Sequence, residues 1–252
     1  MKTNSVALKS PPTVASRGQT AAEPTFSDIA RLAFASFVAD ASFPCLGAKA
    51  AFNAGSYSLF TYEELASSSS SRKLHADLVG FGQSATACTS EYASFIAIFR
   101  GPRPLAERAF ERLLWLQLQQ LYEIDKEQAE WDPKVSSDPD NPHFSFSIGG
   151  HAYYVIGLHG QSSRLARRFS WPALVFNPHE QFEKLRSDGK WKRMQGTIRD
   201  RDVALQGSVN PMLSDFGETS EARQYSGRQV EETWRPDFHV RGKKSGGCPF
   251  AH

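Results

Sequence analysis

Residues 104–127, PLAERAFERLLWLQLQQLYEIDKE, set Phe110, Leu113, Leu114, Leu118 and Leu121 at intervals of three and four. That spacing stacks apolar side chains on one face of a helix and leaves the rest to charged and polar groups. Pro104 suits the first turn, where a missing N–H is no loss. A helix with so long an apolar stripe must lay it against something, and its neighbours say what. ASFIAIFRG, just before it, has the length and the Gly-Pro flank of a buried strand. After the turn-rich DPKVSSDPDNPH come three short strand-like runs, HFSFSIG, AYYVIGL and WPALVFNP, with Gly149-Gly150 placed as a hairpin turn between the first two. Strands following one another with few helices between them pair antiparallel. The expected fold is therefore α+β, an antiparallel sheet packed against helices in a single domain.

The flanks complete the plan. TFSDIARLAFASFVAD puts Ile29, Ala33 and Phe37 on one helical face behind a Thr or Ser cap, and Pro44 breaks that helix. Tyr57 to Tyr62 reads as a strand, and the serine run Ser67 to Ser71 as a loop or helix cap. From Phe182 onward the pattern turns polar and helical. We expect a disordered leader over 1–25, a ligand-binding domain over 26–240 and a mobile tail over 241–252 that carries Cys248-Pro249.

Charge and cysteine content narrow the function. Lys plus Arg (29) nearly balance Asp plus Glu (27), so no global field draws the chain to nucleic acid or to a membrane surface. No run reaches the roughly 18–20 apolar residues of a membrane span. Three cysteines, Cys45, Cys88 and Cys248, cannot build a fully paired disulfide framework, so a reducing cytoplasm is expected. Glycine-rich nucleotide loops, Cys-x-x-Cys pairs, His-Glu-x-x-His and the Gly-x-Ser-x-Gly elbow are all absent from the sequence.

What remains is rich in histidine. His143, His151, His159 and His179 lie in or beside the strand region, at Gly- or Pro-flanked ends from which a side chain can enter a pocket. His159 closes the apolar run YYVIGLH, and Arg164, Arg167 and Arg168 follow it closely. An imidazole beside an apolar wall, with guanidinium groups near enough to pair two carboxylates, is what a haem pocket requires. The same residues also suit a solvated loop between two strands. Cys45 precedes a helix-like segment, where a helix N-terminus can lower a thiol pKa, or it is simply a small buried side chain. Glu218 and Glu221 suit either a cationic ligand or an exposed helix face.

Several stretches in order, FPCLGAKAA, DPDNPHFSFSIGG, GLHGQSSRLARRF, FNPHEQFEKLR, IRDRD and NPMLSDFGETSEARQYSGR, with the terminal GCPF, resemble the YqcI/YcgG family over about Phe26 to Phe250. They are most similar to its subgroup of haem-dependent guanidine N-hydroxylases of the guanitoxin-pathway type. The resemblance implies haem b, dioxygen as co-substrate, a separate electron donor, and a guanidine-containing substrate, arginine or a metabolite made from it. It implies His159 as axial ligand, with His179 second and Cys45 as a thiolate rival. Arg164, Arg167 and Arg168, already placed to pair two carboxylates, would then partner the haem propionates, and the resemblance implies Glu111 or Glu221 as the carboxylate that orients the guanidinium. A glycine, Gly160, stands where the family pattern would put proline. Three other functions stay open: a haem-binding or haem-sensing protein without turnover, in which Cys248 matters most, a thiol enzyme built on Cys45, and an anion-binding module using Arg164 to Arg168. A homodimer is also left open.

Overall fold

The computed structural model describes residues 23–240, apart from the side chain of Ala85. Most of the expected leader and all of the expected tail, Cys248 included, lie outside the described residues. Helices α1 (Phe26–Ala39) and α2 (Leu46–Asn53) lead into strand β1 (Tyr57–Glu64), and α3 (Ser68–Gly82) and α4 (Ala85–Thr89) lead into β2 (Ser94–Gly101). After the long helix α5 (Glu107–Asp125) come β3 (Phe146–Ile148), β4 (His151–Leu158), a 3-10 turn at Leu165–Arg167, and β5 (Ala173–Pro178). Helices α6 (His179–Ser187), α7 (Trp191–Gln206) and α8 (Ala222–Tyr225) follow.

The strands form one five-stranded sheet in the order β1-β2-β5-β4-β3. The fold is α+β, but the sheet is mixed: β1 pairs parallel with β2, Tyr57 opposite Ser94, while the remaining pairs are antiparallel. The parallel step arises because α3 and α4 carry the chain back between β1 and β2. Gly149 and Gly150 both have positive φ, 61° and 78°, as the two-residue β3–β4 hairpin demands.

Alternation sorts side chains between two layers. On one face Phe95, Ala97, Phe99, Tyr153, Val155, Leu174 and Phe176 pack against α3 and against Phe110, Leu114, Leu118 and Leu121 of α5. On the other, Leu59, Ile96, Ile98, Leu158 and Val175 pack against Ala30, Phe34 and Val38 of α1. The buried stripe of α1 is thus one residue later than the expected Ile29, Ala33 and Phe37, and Ile29 is exposed. The Thr25 capping box, in which Thr25 and Asp28 bond each other's backbone N–H, starts that helix. Helix α5 begins at Glu107, after Pro104. The serine run caps α3: Ser67 accepts from Ser70 N, and Ser71 bonds Gln117 and Gln120 of α5.

Helix α5 crosses β4 so closely that a Cβ on Gly157 would sit 2.7 Å from the Phe110 ring, 2.8 Å from Leu114 and 2.8 Å from the Tyr225 carbonyl. The carbonyl belongs to backbone and cannot rotate away. Gly157→Ala should therefore cost about 1–3 kcal/mol or more in a urea unfolding curve. A cost below about 0.5 kcal/mol would mean that α5 and α8 shift freely over β4.

Candidate active site

The α1 face of the sheet is not filled along its length. Between Ser94, Ile156 and Val175 on the sheet, Phe34 and Phe52 on α1 and α2, and the paired helices α6 and α7, a cavity of about 280 Å³ remains. Its walls are mostly apolar, and a few polar groups converge on it, as in small-molecule sites generally. Helix α7 contributes one stripe, Trp191, Met194, Gln195, Ile198, Arg199 and Asp202, at steps of three and four.

Two histidines were expected at this site, and only His179 lines the cavity. It is the first residue of α6, placed where β5 ends, and it is 5% exposed. Its Nε2 lies 3.3 Å from Glu183 one turn later, and the edge of its ring meets Phe216 at 4.6 Å. Burial holds the imidazole below its ordinary pKa, against the opposing pull of Glu183, so it is neutral at neutral pH. With Nε2 turned toward Glu183, the lone pair of the neutral ring sits on Nδ1.

His159 lies elsewhere. Along β4, Tyr154, Ile156 and Leu158 face the cavity, whereas Tyr153, Val155 and Gly157 face α5. His159 continues the second series. Its ring stacks on Phe110 at 4.4 Å, and Nδ1 donates to the Leu105 carbonyl at 3.2 Å. It is a buried side chain on the α5 side of the sheet and does not line this cavity. His143 and His151 are exposed.

The arginine cluster splits three ways. Arg164 pairs with buried Asp202 at 2.5 Å and also donates to Ser208, so its charge is already matched. Arg168 is exposed, donates to the Ser162 carbonyl and borders a separate depression. Only Arg167 is buried on the cavity wall without an acidic partner among the described residues. It donates to three backbone carbonyls, those of Gly157, Gln224 and Tyr225, tying β4 to α8. Burial lowers its pKa, the mark of a cation short of counter-charge. Arg199, which the sequence reading had not singled out, also lines the cavity, and its Nε is buried without a hydrogen-bond partner. The α7 stripe was the signal that could have found it.

The two candidate carboxylates part as well. Glu111 is bound by Arg228 at 2.8 Å and by Ser226 at 3.0 Å, in a buried pair away from the cavity. Its carboxylate is already matched by Arg228 and does not line the cavity. Glu221 lines the cavity and accepts from the Tyr225 hydroxyl at 2.5 Å. Burial pushes its carboxyl up to about 8. Because that lies above the ordinary 4.5, stability from the neutral carboxyl is complete below about 4.5 and is lost as the pH rises through about 8. Cys45 lines the cavity as the N-cap of α2, its sulfur accepting from Ala48 N at 3.4 Å. Burial raises its thiol rather than lowering it, so the expected thiolate is disfavoured.

Among the described residues no three His, Cys, Asp or Glu side chains gather as a metal cluster. An iron carried by a porphyrin needs no such cluster, only an axial donor, apolar walls and charges for the propionates. His179, the aromatic walls, Arg167 and Arg199 are the lining residues such a group would have to use.

A family model described as the YqcI/YcgG family matches residues 34–239. The chain is similar to the uncharacterized protein YcgG of Bacillus subtilis (strain 168), with 26% identity over 220 residues, covering 84% of this chain and 81% of that protein. It is similar also to the uncharacterized protein YqcI of the same organism, with 27% identity over 198 residues, covering 75% and 77%. No solved structure matches.

Proposed function

This chain belongs to the YqcI/YcgG family, and within it we propose that it works as a haem-dependent N-hydroxylase of a guanidine group, on arginine or a metabolite derived from it. The observation that carries the reading is one apolar chamber walled by a neutral buried imidazole, His179, an uncompensated guanidinium, Arg167, and a buried carboxyl, Glu221. His179, through Nδ1, would hold the iron, and Arg167 with Arg199 would pair the propionates. When bound, the haem would supply the oxidising chemistry, turning a guanidine nitrogen into its N-hydroxy form with dioxygen and electrons from a separate donor.

The chain's own residues do the rest. Phe34, Phe52 and Ile156 exclude water from the chamber. Glu183 orients the His179 ring. Glu221 receives the substrate cation, and Tyr225 holds that carboxyl in place. The described residues contain no helix long and apolar enough to cross a membrane. Free thiols at Cys45 and Cys88 suit the reducing cytoplasm in which the proposal places the protein.

The test is a haem titration of the purified protein followed in its visible spectrum, then incubation with arginine, dioxygen and a reductant. Saturable uptake near one haem per chain, with gain of one oxygen atom on the guanidine, is expected. A protein that takes up no haem overturns the reading. One that binds haem firmly and oxidises no guanidine would be a haem-binding protein without turnover.

A further inference from the structure

A buried carboxyl normally has a cation beside it, and Glu221 has none: among the described residues it enters no ion pair within 4.0 Å. Its neighbours are neutral donors and one more distant cation. Tyr225 of α8 donates to it at 2.5 Å, and the Ser145 hydroxyl before β3 is a second neutral group beside the carboxyl. The Tyr154 phenol of β4 and the Arg186 guanidinium of α6 feel its charge from further off. Arg186 is already engaged, bonded to Glu183 at 2.7 Å and lying over the rings of Trp191 and Phe216. Arg167, on the same wall, is held by the Gln224 and Tyr225 carbonyls of α8 rather than by the acid at the start of that helix. The chamber therefore keeps a fixed acid and a fixed cation apart.

We propose that Glu221 is where this cavity recognises a cation, and that it does so by exchange: a guanidinium or ammonium group enters and the carboxyl proton leaves to solvent. The step balances as protonated Glu221 plus a cationic ligand giving carboxylate–cation pair plus one proton. No oxidant or other reactant is needed. The proposal rests on reading the chamber as a substrate site, though not on the presence of haem. Burial keeps the empty carboxyl neutral up to about pH 8, so in the neutral range each binding event carries a proton out. A ligand of the same shape without charge has nothing to displace and gains no ion pair.

Calorimetric titration with methylguanidinium chloride and with neutral methylurea, in two buffers of different ionisation enthalpy, tests this on the full chain before and after haem loading. Near neutral pH, release of about one proton per methylguanidinium is expected, falling away well above pH 8, with none for methylurea. Glu221→Gln keeps the shape and the bond from Tyr225. It should bind methylguanidinium at least about tenfold more weakly, without proton release. Difference infrared spectra should show a protonated carboxyl lost on binding in the wild type and no such change in Glu221→Gln. Binding with heats independent of buffer, unchanged affinity in Glu221→Gln, or no binding in either form of the protein overturns the proposal. Haem uptake is read separately from the visible spectrum, so its failure leaves the exchange to stand or fall in the haem-free chain.

Discussion

His179→Ala is expected to abolish haem retention, while His159→Ala retains haem and instead loses about 2–4 kcal/mol of stability. The contrast follows from which side of the sheet each ring occupies. His179 lines the cavity with Glu183 beside Nε2, so its removal takes away the donor together with the geometry Glu183 supports. His159 fills space against Phe110 and bonds the Leu105 carbonyl. Its loss leaves a void in the α5 layer and a carbonyl without its donor. Haem content from the visible spectrum and stability from urea unfolding separate the two. Haem loss in His159→Ala with full retention in His179→Ala would reverse the assignment and require a second chamber on the α5 side.

The second large effect lies away from the ligand. Glu111→Ala should destabilise the protein by about 3–5 kcal/mol, because it strands the Arg228 guanidinium in a buried site. Arg228 Nη1 reaches Glu231 at 3.3 Å, but Glu231 is largely solvated and replaces only part of what Glu111 supplies. The loss should therefore fall toward about 3 kcal/mol. Replacing both partners together, Glu111→Leu with Arg228→Met, should recover most of it, since no buried charge is then left over. Urea unfolding gives the stabilities, and methylguanidinium binding to the folded fraction should match the wild type. A stability loss under about 1 kcal/mol, together with lost binding, would return Glu111 to the substrate site.

The local plan was legible in the chain because local structure is written in short-range periodicity. The stripe from Phe110 to Leu121, the Gly149-Gly150 turn and the run from Ala173 to Pro178 each declare their element through neighbours a few residues apart. Even the parity of β4 is there: Tyr153, Val155, Gly157 and His159 must share one face. Helix α1 shows how narrow the margin is, since its buried stripe proved to be Ala30, Phe34 and Val38, one residue along from the expected set.

Which face of β4 holds the cavity is a different kind of fact. It depends on α5 covering one side and on α1, α2, α6 and α7 leaving room on the other, and no window of local sequence contains those choices. The arginines make the same point about charge. Arg164, Arg167 and Arg168 stand within five positions of one another, yet one meets Asp202 from α7, one is held by carbonyls of β4 and α8, and one faces solvent. Glu111 and Glu221 are both buried, but Arg228 neutralises the first while the second faces the chamber and keeps its proton to about pH 8. By itself the sequence determined the long helix α5, most of the strands and the set of ionisable groups, because those follow from residue type and spacing. Only the tertiary structure decided which groups share a cavity and which are charged there, because burial and long-range partners, not chain neighbours, set the local dielectric and the counter-charge.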